Sequence, residues 1–294
     1  MALTWNGKRF DWVNVVYFAT VHVAALAAFW TFSWTGLALV LLLNWVGGSL
    51  GIGVTYHRLL THRGYKVPKF LEYLGTLCGM LASEGGAITW VAMHRYHHIH
   101  SDRPGKDLHT PKDGFWWSHW GWIVCRMDMD RREMERRYAP ELVADPVHRF
   151  LNRVHVLPNV LLGLALYAWG GWALVVWGVF LRMAVTLNAT WLVNSATHTW
   201  GYRTFETPEG STNLWWVGLL AWGEGWHNNH HAFQRSARHG HEWWELDMNW
   251  IVIRGLIALG LAHDVQLLPR NADQFRIGRA QPAAVLEPEA EPAI

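Results

Sequence analysis

Long apolar stretches alternate with polar stretches along this chain, and they predict helices that cross a membrane. A spanning helix needs about 20 predominantly apolar residues. Four stretches approach or exceed that length, in two closely linked pairs: about 12–34 with 36–56, and about 156–170 with 172–196. The links, Thr35-Gly36 and Gly170-Gly171, are short and uncharged. Each pair therefore predicts a helical hairpin that enters the membrane and returns.

The more polar residues between and after these pairs predict a helical cap outside the membrane, formed by 57–155 and 197–279. Two apolar stretches interrupt the cap. Residues 70–93 predict a buried or half-inserted helix, and residues 250–262 predict a segment on the membrane surface. Residues 1–279 are expected to form one domain. The tail, 280–294, is rich in Ala, Pro and Glu, a composition typical of disorder.

Basic residues predict the orientation of the spans, because Lys and Arg are enriched in cytoplasmic loops. Those next to the predicted spans all fall on the side that holds both termini: Lys8, Arg9, Arg58, Arg63, Lys66, Lys69, Arg149, Arg153 and Arg203. Both termini and the cap are therefore expected in the cytoplasm. The predicted fold class is an all-α integral membrane protein, with four transmembrane helices in two hairpins and a cytosolic helical cap.

Composition agrees with a protein that is only partly in the membrane. Of the 294 residues, 51% are hydrophobic and 16% are charged, whereas soluble proteins carry about 25% charged residues. The net charge of +2 and the lack of a basic tract argue against a nucleic-acid partner. The two cysteines, Cys78 and Cys125, are too few for a disulfide framework or a cysteine-based zinc site.

Half of the 18 histidines fall into four clusters at or beside the cytoplasmic ends of the predicted spans. They are His57 and His62; His94, His97 and His98; His198; and His227, His230 and His231. The second and fourth clusters have the spacing i, i+3, i+4, which places their side chains on one face of a helix. Neutral imidazole is a good ligand for iron, copper and zinc. Nine such ligands are too many for one ion and suit two.

The remaining cluster members make two further predictions. His57 and His62 are five residues apart, about 140° around a regular α-helix. The second span must therefore end or distort between them if both are to face one site. Asn194 lies one helical turn before His198 and could hold a metal-bound water.

The expected metal is iron. Zinc has no redox chemistry, and a shell of nitrogens without cysteine or methionine disfavours copper. Paired Fe²⁺ ions can activate O₂ to attack an unactivated C–H bond, and the membrane supplies an alkyl chain as substrate. Two rival classes fit less well. A metal transporter would place its histidines near the middle of the membrane, and a haem electron carrier needs only one or two axial histidines.

At these residues the chain closely resembles the membrane-bound, stearoyl-type fatty acyl desaturases. The matching segments are 56–63, 114–122, 188–196 and 223–231. The resemblance implies that the nine histidines ligate two iron ions, with Asn194 near one of them through water. It further implies that Trp90, Thr190 and Trp191 line a kinked acyl tunnel whose far end is closed by Trp45. Arg126 is expected on the side that faces the substrate headgroup or the electron donor.

Departures from the acyl-CoA-using members favour the cyanobacterial-type branch, which acts on acyl chains of membrane lipids. Met80, Gly85, Ala92 and Met93 stand where those members carry residues that grip the nucleotide headgroup. No His-Pro-Gly-Gly haem motif is present, so a separate donor of ferredoxin or cytochrome type is expected. The predicted function is O₂-dependent, lipid-linked, delta-9 desaturation. An acyl-CoA desaturase and a hydroxylase on the same di-iron scaffold are the alternatives.

Overall fold

The computed structural model describes residues 3–278, most of them helical; the predicted tail at 280–294 lies outside the described residues. The α-helices are α1 (Trp12–Ala25), α2 (Trp34–Asn44), α3 (Lys69–Leu81), α4 (Ala87–His100), α5 (Arg131–Tyr138), α6 (Pro140–Ala144), α7 (Pro146–Arg153), α8 (Leu157–Val175), α9 (Arg182–Ser195), α10 (Trp215–Leu220), α11 (His227–Ala232) and α12 (Met248–Ala258). The π-helical segments are Trp45–Thr61, Trp117–Gly121 and Val176–Leu181. The 3₁₀ segments are Leu26–Trp30, Pro111–Asp113, Ala196–His198 and Ala272–Phe275. A short antiparallel hairpin, β1 (Thr4–Trp5) and β2 (Lys8–Arg9), precedes α1.

Three continuous helices within residues 3–278 are long and apolar enough to cross a membrane: Trp12–Trp30, Trp34–Thr61 and Leu157–His198. The predicted boundary between the first two is wrong by several residues. The first helix ends at Trp30, and Ser33 starts the next by accepting the Gly36 N–H at 3.2 Å through its Oγ. The second continues to Thr61, beyond the predicted end at 56, so His57 lies inside a helix.

The third of these helices is bent at two glycines. It has 42 residues and, if straight, would be about 63 Å long, twice the ~30 Å of a bilayer core. Gly170 and Gly171 leave helical geometry, and Gly171 takes a φ of 67°, a conformation that favours glycine. The chain therefore kinks there, and its two parts coincide with the stretches predicted at 156–170 and 172–196.

The C-terminal half of the second helix is π-helical, which changes the direction of its side chains. The segment Trp45–Thr61 has i→i+5 hydrogen bonding. The His62 N–H donates to the His57 carbonyl at 3.1 Å, so residues five apart lie on the same face. The predicted distortion between these two histidines is confirmed, and their ring centroids are 4.8 Å apart.

Helix α3 crosses the π-helical segment at a very short distance. A Cβ at Gly51 would overlap the backbone of Gly79, and a Cβ at Gly75 would overlap the Thr55 hydroxyl. Small residues at a helix crossing let the backbones approach closely. The side of α3 away from this contact exposes Phe70, Leu74 and Leu77, as expected for a half-inserted helix.

The stretch 70–93 is not one helix, contrary to the sequence prediction. Helix α3 ends at Leu81 and α4 begins at Ala87. Ser83 and Gly85 between them have positive φ values of 65° and 96°, which turn the chain. The turn separates a membrane-side helix from one that carries three of the clustered histidines.

Arg182 connects the long helix Leu157–His198 to the end of α3. Its side chain is fully buried and donates to the Leu81 carbonyl, to Asn159 Oδ1 at 2.6 Å and to the Gly178 carbonyl at 3.2 Å. Among residues 3–278 no carboxylate pairs with it. Asn159 in turn donates to the Met80 carbonyl at 2.9 Å. Arg182 and Asn159 thus satisfy the last carbonyls of α3, where a positive charge also complements the helix dipole.

Replacing Arg182 by leucine is expected to destabilise the protein, because each buried acceptor left unsatisfied costs about 1–3 kcal/mol. Arg182→Lys should recover part of the loss, since an ammonium donates hydrogen bonds but lacks the guanidinium's fork. Arg153→Leu, at an exposed position, is the control. The measurement is the temperature at which each variant in detergent loses its monodisperse peak. Equal values for the two leucine variants would contradict this role of Arg182.

Candidate metal centre

Four separate elements bring the nine clustered histidines together. The π-helical segment ends with His57 and His62, and the 3₁₀ turn Ala196–His198 supplies His198. Helix α4 carries His94, His97 and His98, and helix α11 carries His227, His230 and His231. Residues up to 174 positions apart in the chain are thus assembled at the junction between the apolar helices and the cap.

The histidines divide into two groups, and within each group the ligand atoms lie within 4.8 Å of one another. The five-histidine group is His57, His62, His94, His98 and His230, and the four-histidine group is His97, His198, His227 and His231. Helices α4 and α11 contribute to both groups. The i, i+3, i+4 spacing lets one helix supply ligands to both groups, because residues on one helical face point to adjacent positions in space.

The ring nitrogens in each group face one another at short range. In the five-histidine group, His230 Nε2 is 3.0 Å from Nε2 of both His57 and His98. In the four-histidine group, His227 Nε2 is 3.1 Å from His198 Nε2 and 3.0 Å from His231 Nε2. A ring nitrogen is either a donor or an acceptor. The central Nε2 of each group, that of His230 or His227, could therefore donate a single hydrogen to only one of its two neighbours at a time.

Carboxylates fix which nitrogen points inward. His57 Nδ1 donates to Glu224 Oε2 at 2.5 Å. His97 and His198 donate from Nδ1 to Asp107 and Asp102, each at 3.0 Å, and His231 Nδ1 lies 3.4 Å from Glu209. With the hydrogen on Nδ1, each Nε2 presents a lone pair to its group. Such carboxylate partners are typical of metal-bound histidines.

These carboxylates stay charged although they are buried. Burial alone would raise the pKa of Asp107, but His97 and His109 beside it hold that pKa far below the usual range. Burial would also raise the pKa of Asp102, but the hydrogen bond from His198 outweighs this effect and lowers that pKa. Negative charge behind the imidazoles strengthens them as donors to a cation.

The nitrogen spacing fits a metal with more than four ligands. Nitrogens ~2.1 Å from one ion are about 3.0 Å apart at right angles and about 3.4 Å apart in a tetrahedron. The observed 3.0–3.1 Å matches right angles, and five donors exceed the four positions of tetrahedral zinc. His62 Nε2 is buried and has no hydrogen-bond partner within residues 3–278, so a cation would also satisfy it. The donor set is compatible with a metal site of this kind.

A buried ion-pair network behind the five-histidine group was not predicted from the sequence. Arg58 is 1% exposed and donates to Glu224 Oε1 at 2.9 Å and to Asp247 Oδ2 at 2.8 Å. Asn249 donates to the same Glu224 oxygen at 2.7 Å. His239 Nδ1 lies 3.3 Å from Glu224 Oε2, and its ring packs 4.5 Å from that of His230. Glu224 therefore orients His57 and is itself held by two cationic or amide donors.

The sequence contains a local signal for the carboxylates that orient the histidines. Asp102 and Asp107 follow α4 within seven residues, and Glu224 precedes His227 by three. Since metal-bound histidines usually donate their second N–H to a carboxylate, acidic residues beside a histidine cluster are candidates. Which acid serves which histidine depends on the tertiary fold.

A cavity of about 50 Å³ lies between the histidines and the apolar helices. Its walls come mainly from the second helix, α9 and the loop after α10. The lining residues include Asn44, Gly48, Trp90, Thr190, Asn194 and Trp222, together with His57, His94 and His227. Trp90 stacks on His94 with centroids 4.8 Å apart, and its Nε1 donates to Glu84 at 2.9 Å. Burial raises the pKa of Glu84 to about 7.

Three of the sequence-predicted residues lie away from this cavity wall. Trp45 is half-buried next to Asn44, which does line the cavity. Trp191 is buried on α9 and packs against Phe18 and His22, with ring centroids 5.4 and 5.9 Å away. Arg126 is exposed, and its N–H donates to the Arg9 carbonyl at 2.8 Å. The roles predicted for them stay predictions.

The sequence of this chain is similar to those of known proteins. Residues 30–265 match the fatty acid desaturase family. An sn-1 stearoyl-lipid 9-desaturase of Anabaena variabilis is 49% identical over 265 residues, 90% of this chain and 96% of the relative. An sn-2 palmitoyl-lipid 9-desaturase of Nostoc sp. (strain 36) is 45% identical, covering 90% and 93%. An icosanoyl-CoA 5-desaturase of Limnanthes douglasii is 42% identical, covering 93% and 76%.

The chain belongs to the fatty acid desaturase family. It is therefore an oxidoreductase that desaturates fatty acyl chains, and this prediction is confirmed. The resemblance to the cyanobacterial acyl-lipid branch is confirmed by the Anabaena and Nostoc relatives. In this desaturase, the two histidine groups stand where the apolar cavity meets the charged cap.

Removing one orienting carboxylate should weaken metal binding by this desaturase. Asp107→Asn keeps the shape of the side chain and removes the charge behind His97, and losses of this type are roughly 10–100-fold in metal affinity. Asp113→Asn, on the exposed side of the same loop, is the control. Metal per chain is measured by mass spectrometry after dialysis against graded chelator. Unchanged metal retention in Asp107→Asn would contradict the orienting role.

Proposed function

We propose that this desaturase introduces a cis double bond at carbon 9 of a saturated acyl chain esterified in a membrane lipid. Two Fe²⁺ ions, one in each histidine group, are the proposed cofactor, and O₂ is the co-substrate. The proposal is carried by the assembly of all nine histidines into two groups at the mouth of a membrane-level cavity. The names of the Anabaena and Nostoc relatives support the position and the lipid carrier.

When bound, paired iron would supply the redox chemistry that activates O₂ to remove hydrogen from a C–H bond. The chain's own residues select and hold that bond. Trp90 stacks on His94 and lines the cavity together with Thr190, so an acyl chain in this cavity would lie next to the histidines. Asn194 lines the same space beside His227 and is the proposed partner of a metal-bound water. The mainly apolar walls exclude bulk water, which protects reactive species.

The environment of four positions supports a lipid carrier rather than coenzyme A. Met80 and Ala92 are 1% and 0% exposed, so they cannot reach a soluble headgroup. Gly85 has no side chain, and Met93 packs against the main hydrophobic core. The icosanoyl-CoA 5-desaturase among the relatives keeps an acyl-CoA substrate as the second candidate.

Four membrane crossings are proposed, with both termini, the cap and the metal centre on the cytoplasmic side. The kink at Gly170 and Gly171 supports this, because it lets Leu157–His198 cross twice. The turn between the first two helices contacts the π-helical segment that precedes α9. There, Trp177 Nε1 donates to the Thr31 carbonyl at 2.7 Å. This contact supports an arrangement in which the two hairpin turns lie side by side, opposite the histidines.

Expression in a desaturase-deficient host tests the proposal directly. New cis-monoenes with the double bond at carbon 9 are expected first in intact lipids, since the substrate is held in the membrane. Gas chromatography of separated lipid and acyl-CoA fractions over time is the measurement, with His98→Ala as the inactive control. Earlier appearance in the acyl-CoA pool would overturn the carrier, and hydroxylated chains would favour a hydroxylase.

The length of the acyl chain should depend on the inner end of the cavity. Gly48→Ala is expected to shift products toward shorter chains, because the new Cβ would lie 3.2 Å from Trp222 Nε1 and 3.3 Å from Asn44 Oδ1. Trp45→Ala is expected to shift them toward longer chains if Trp45 closes the tunnel. Product chain lengths are compared at equal expression. An active Gly48→Ala enzyme with an unchanged profile would place the end of the acyl chain elsewhere.

A further inference from the structure

Two basic segments far apart in the sequence meet on the surface of the cap behind α4. Arg103 and Lys106 lie in the turns after α4, and Arg137 lies in the last turn of α5. Helix α5 packs on α4, with Tyr96 5.5 Å from Tyr138 between ring centroids. Arg137 sits over the Tyr138 ring at 5.5 Å. Tyr96 also contacts His100 at 4.4 Å, and the Arg103 N–H donates to the His100 carbonyl at 2.9 Å.

These three cations, called the basic patch below, are free to bind a partner. All three are exposed. Within residues 3–278 none of them forms an ion pair, whereas Arg63, Lys66 and Lys69 elsewhere on the cap each pair with an acid. Exposed cations without partners attract an acidic surface and increase its association rate.

The basic patch is very close to the metal centre. The Asp107 N–H donates to the Arg103 carbonyl at 3.0 Å, so the turn that carries Arg103 and Lys106 also carries Asp107. The Asp107 carboxylate bonds His97 of the four-histidine group at 3.0 Å. A protein docked on the patch would thus be separated from a histidine ligand by about one layer of residues, and electron transfer is fastest over short distances.

Desaturation requires such a partner because its electrons do not balance otherwise. The reaction is R–CH₂–CH₂–R′ + O₂ + 2 e⁻ + 2 H⁺ → R–CH=CH–R′ + 2 H₂O. Two C–H bonds break and supply two of the four electrons that reduce O₂, and the other two must come from a reductant.

We propose that Arg103, Lys106 and Arg137 form the docking face for an acidic one-electron carrier protein. The inference rests on the proposed function and adds the place where reducing equivalents enter. The carrier would bind on the cytosolic surface behind α4 and reduce the metal centre past His97. The acyl chain reaches the same centre from the opposite side, through the membrane-level cavity.

The test uses the full chain in lipid nanodiscs and a reduced plant-type ferredoxin. The triple variant Arg103→Glu/Lys106→Glu/Arg137→Glu is compared with the parent, with the charge-conserving Arg137→Lys and with Arg270→Glu, an exposed position outside the patch. The triple variant is expected to raise the KM for ferredoxin at least about tenfold at low salt, the scale of electrostatic steering, and to lose its salt dependence. Single turnover driven by dithionite should stay near the parent's rate, as should all activities of the two controls.

Three results would overturn the docking face. The first is an unchanged KM for ferredoxin in the triple variant. The second is an equal loss of ferredoxin-driven and dithionite-driven turnover, which would indicate a structural role. The third is a loss of binding to vesicles of anionic lipid with an unchanged KM for ferredoxin. Equilibrium binding of oxidised ferredoxin to parent and triple variant tests the same face without turnover. A parent that binds ferredoxin but forms no product with either reductant contradicts the proposed function and leaves the docking face standing.

Discussion

Repulsion between imidazole lone pairs is the constraint on which this structure depends. Two groups of ring nitrogens face one another at 3.0–3.1 Å in a buried space, and carboxylates hold the hydrogens of several rings on the outer side. A cation in each group would relieve this repulsion, so the arrangement is compatible with a metal site. The π-helical end of the second helix, the spacing on α4 and α11, and the Arg58–Glu224–Asp247 network all direct nitrogens toward these points.

The apolar helices position this centre at one of their ends. The cavity lies between the second helix and α9 and meets the histidines near the ends of both helices. Arg182 and Asn159 attach the end of α3 to the helix Leu157–His198, and the turn after α3 leads into α4. The position of α4 relative to the cavity, and hence of His94 beside Trp90, therefore depends on contacts of the apolar helices as well as on contacts in the cap.

The sequence predicted the apolar helices and the histidine set well, because both follow from local patterns. A long apolar run favours a long apolar helix, and i, i+3, i+4 spacing fixes a helical face. The geometric conflict between His57 and His62 even predicted a distorted helix. Prediction failed where tertiary contacts decide the outcome. The positive φ of Ser83 splits 70–93 into two helices, and the pairing of Asp102 with His198, 96 residues away, has no local signal. Arg182 could be recognised as unusual, but its acceptors are carbonyls of a distant helix.

The most direct test of two inequivalent metal sites is Mössbauer spectroscopy of the ⁵⁷Fe-enriched, anaerobically reduced protein, combined with its iron content. A five-histidine and a four-histidine site should give two iron ions per chain and two distinct high-spin ferrous quadrupole doublets of equal area. One iron per chain, or full occupancy of both groups by zinc in a preparation that desaturates acyl chains, would contradict the account.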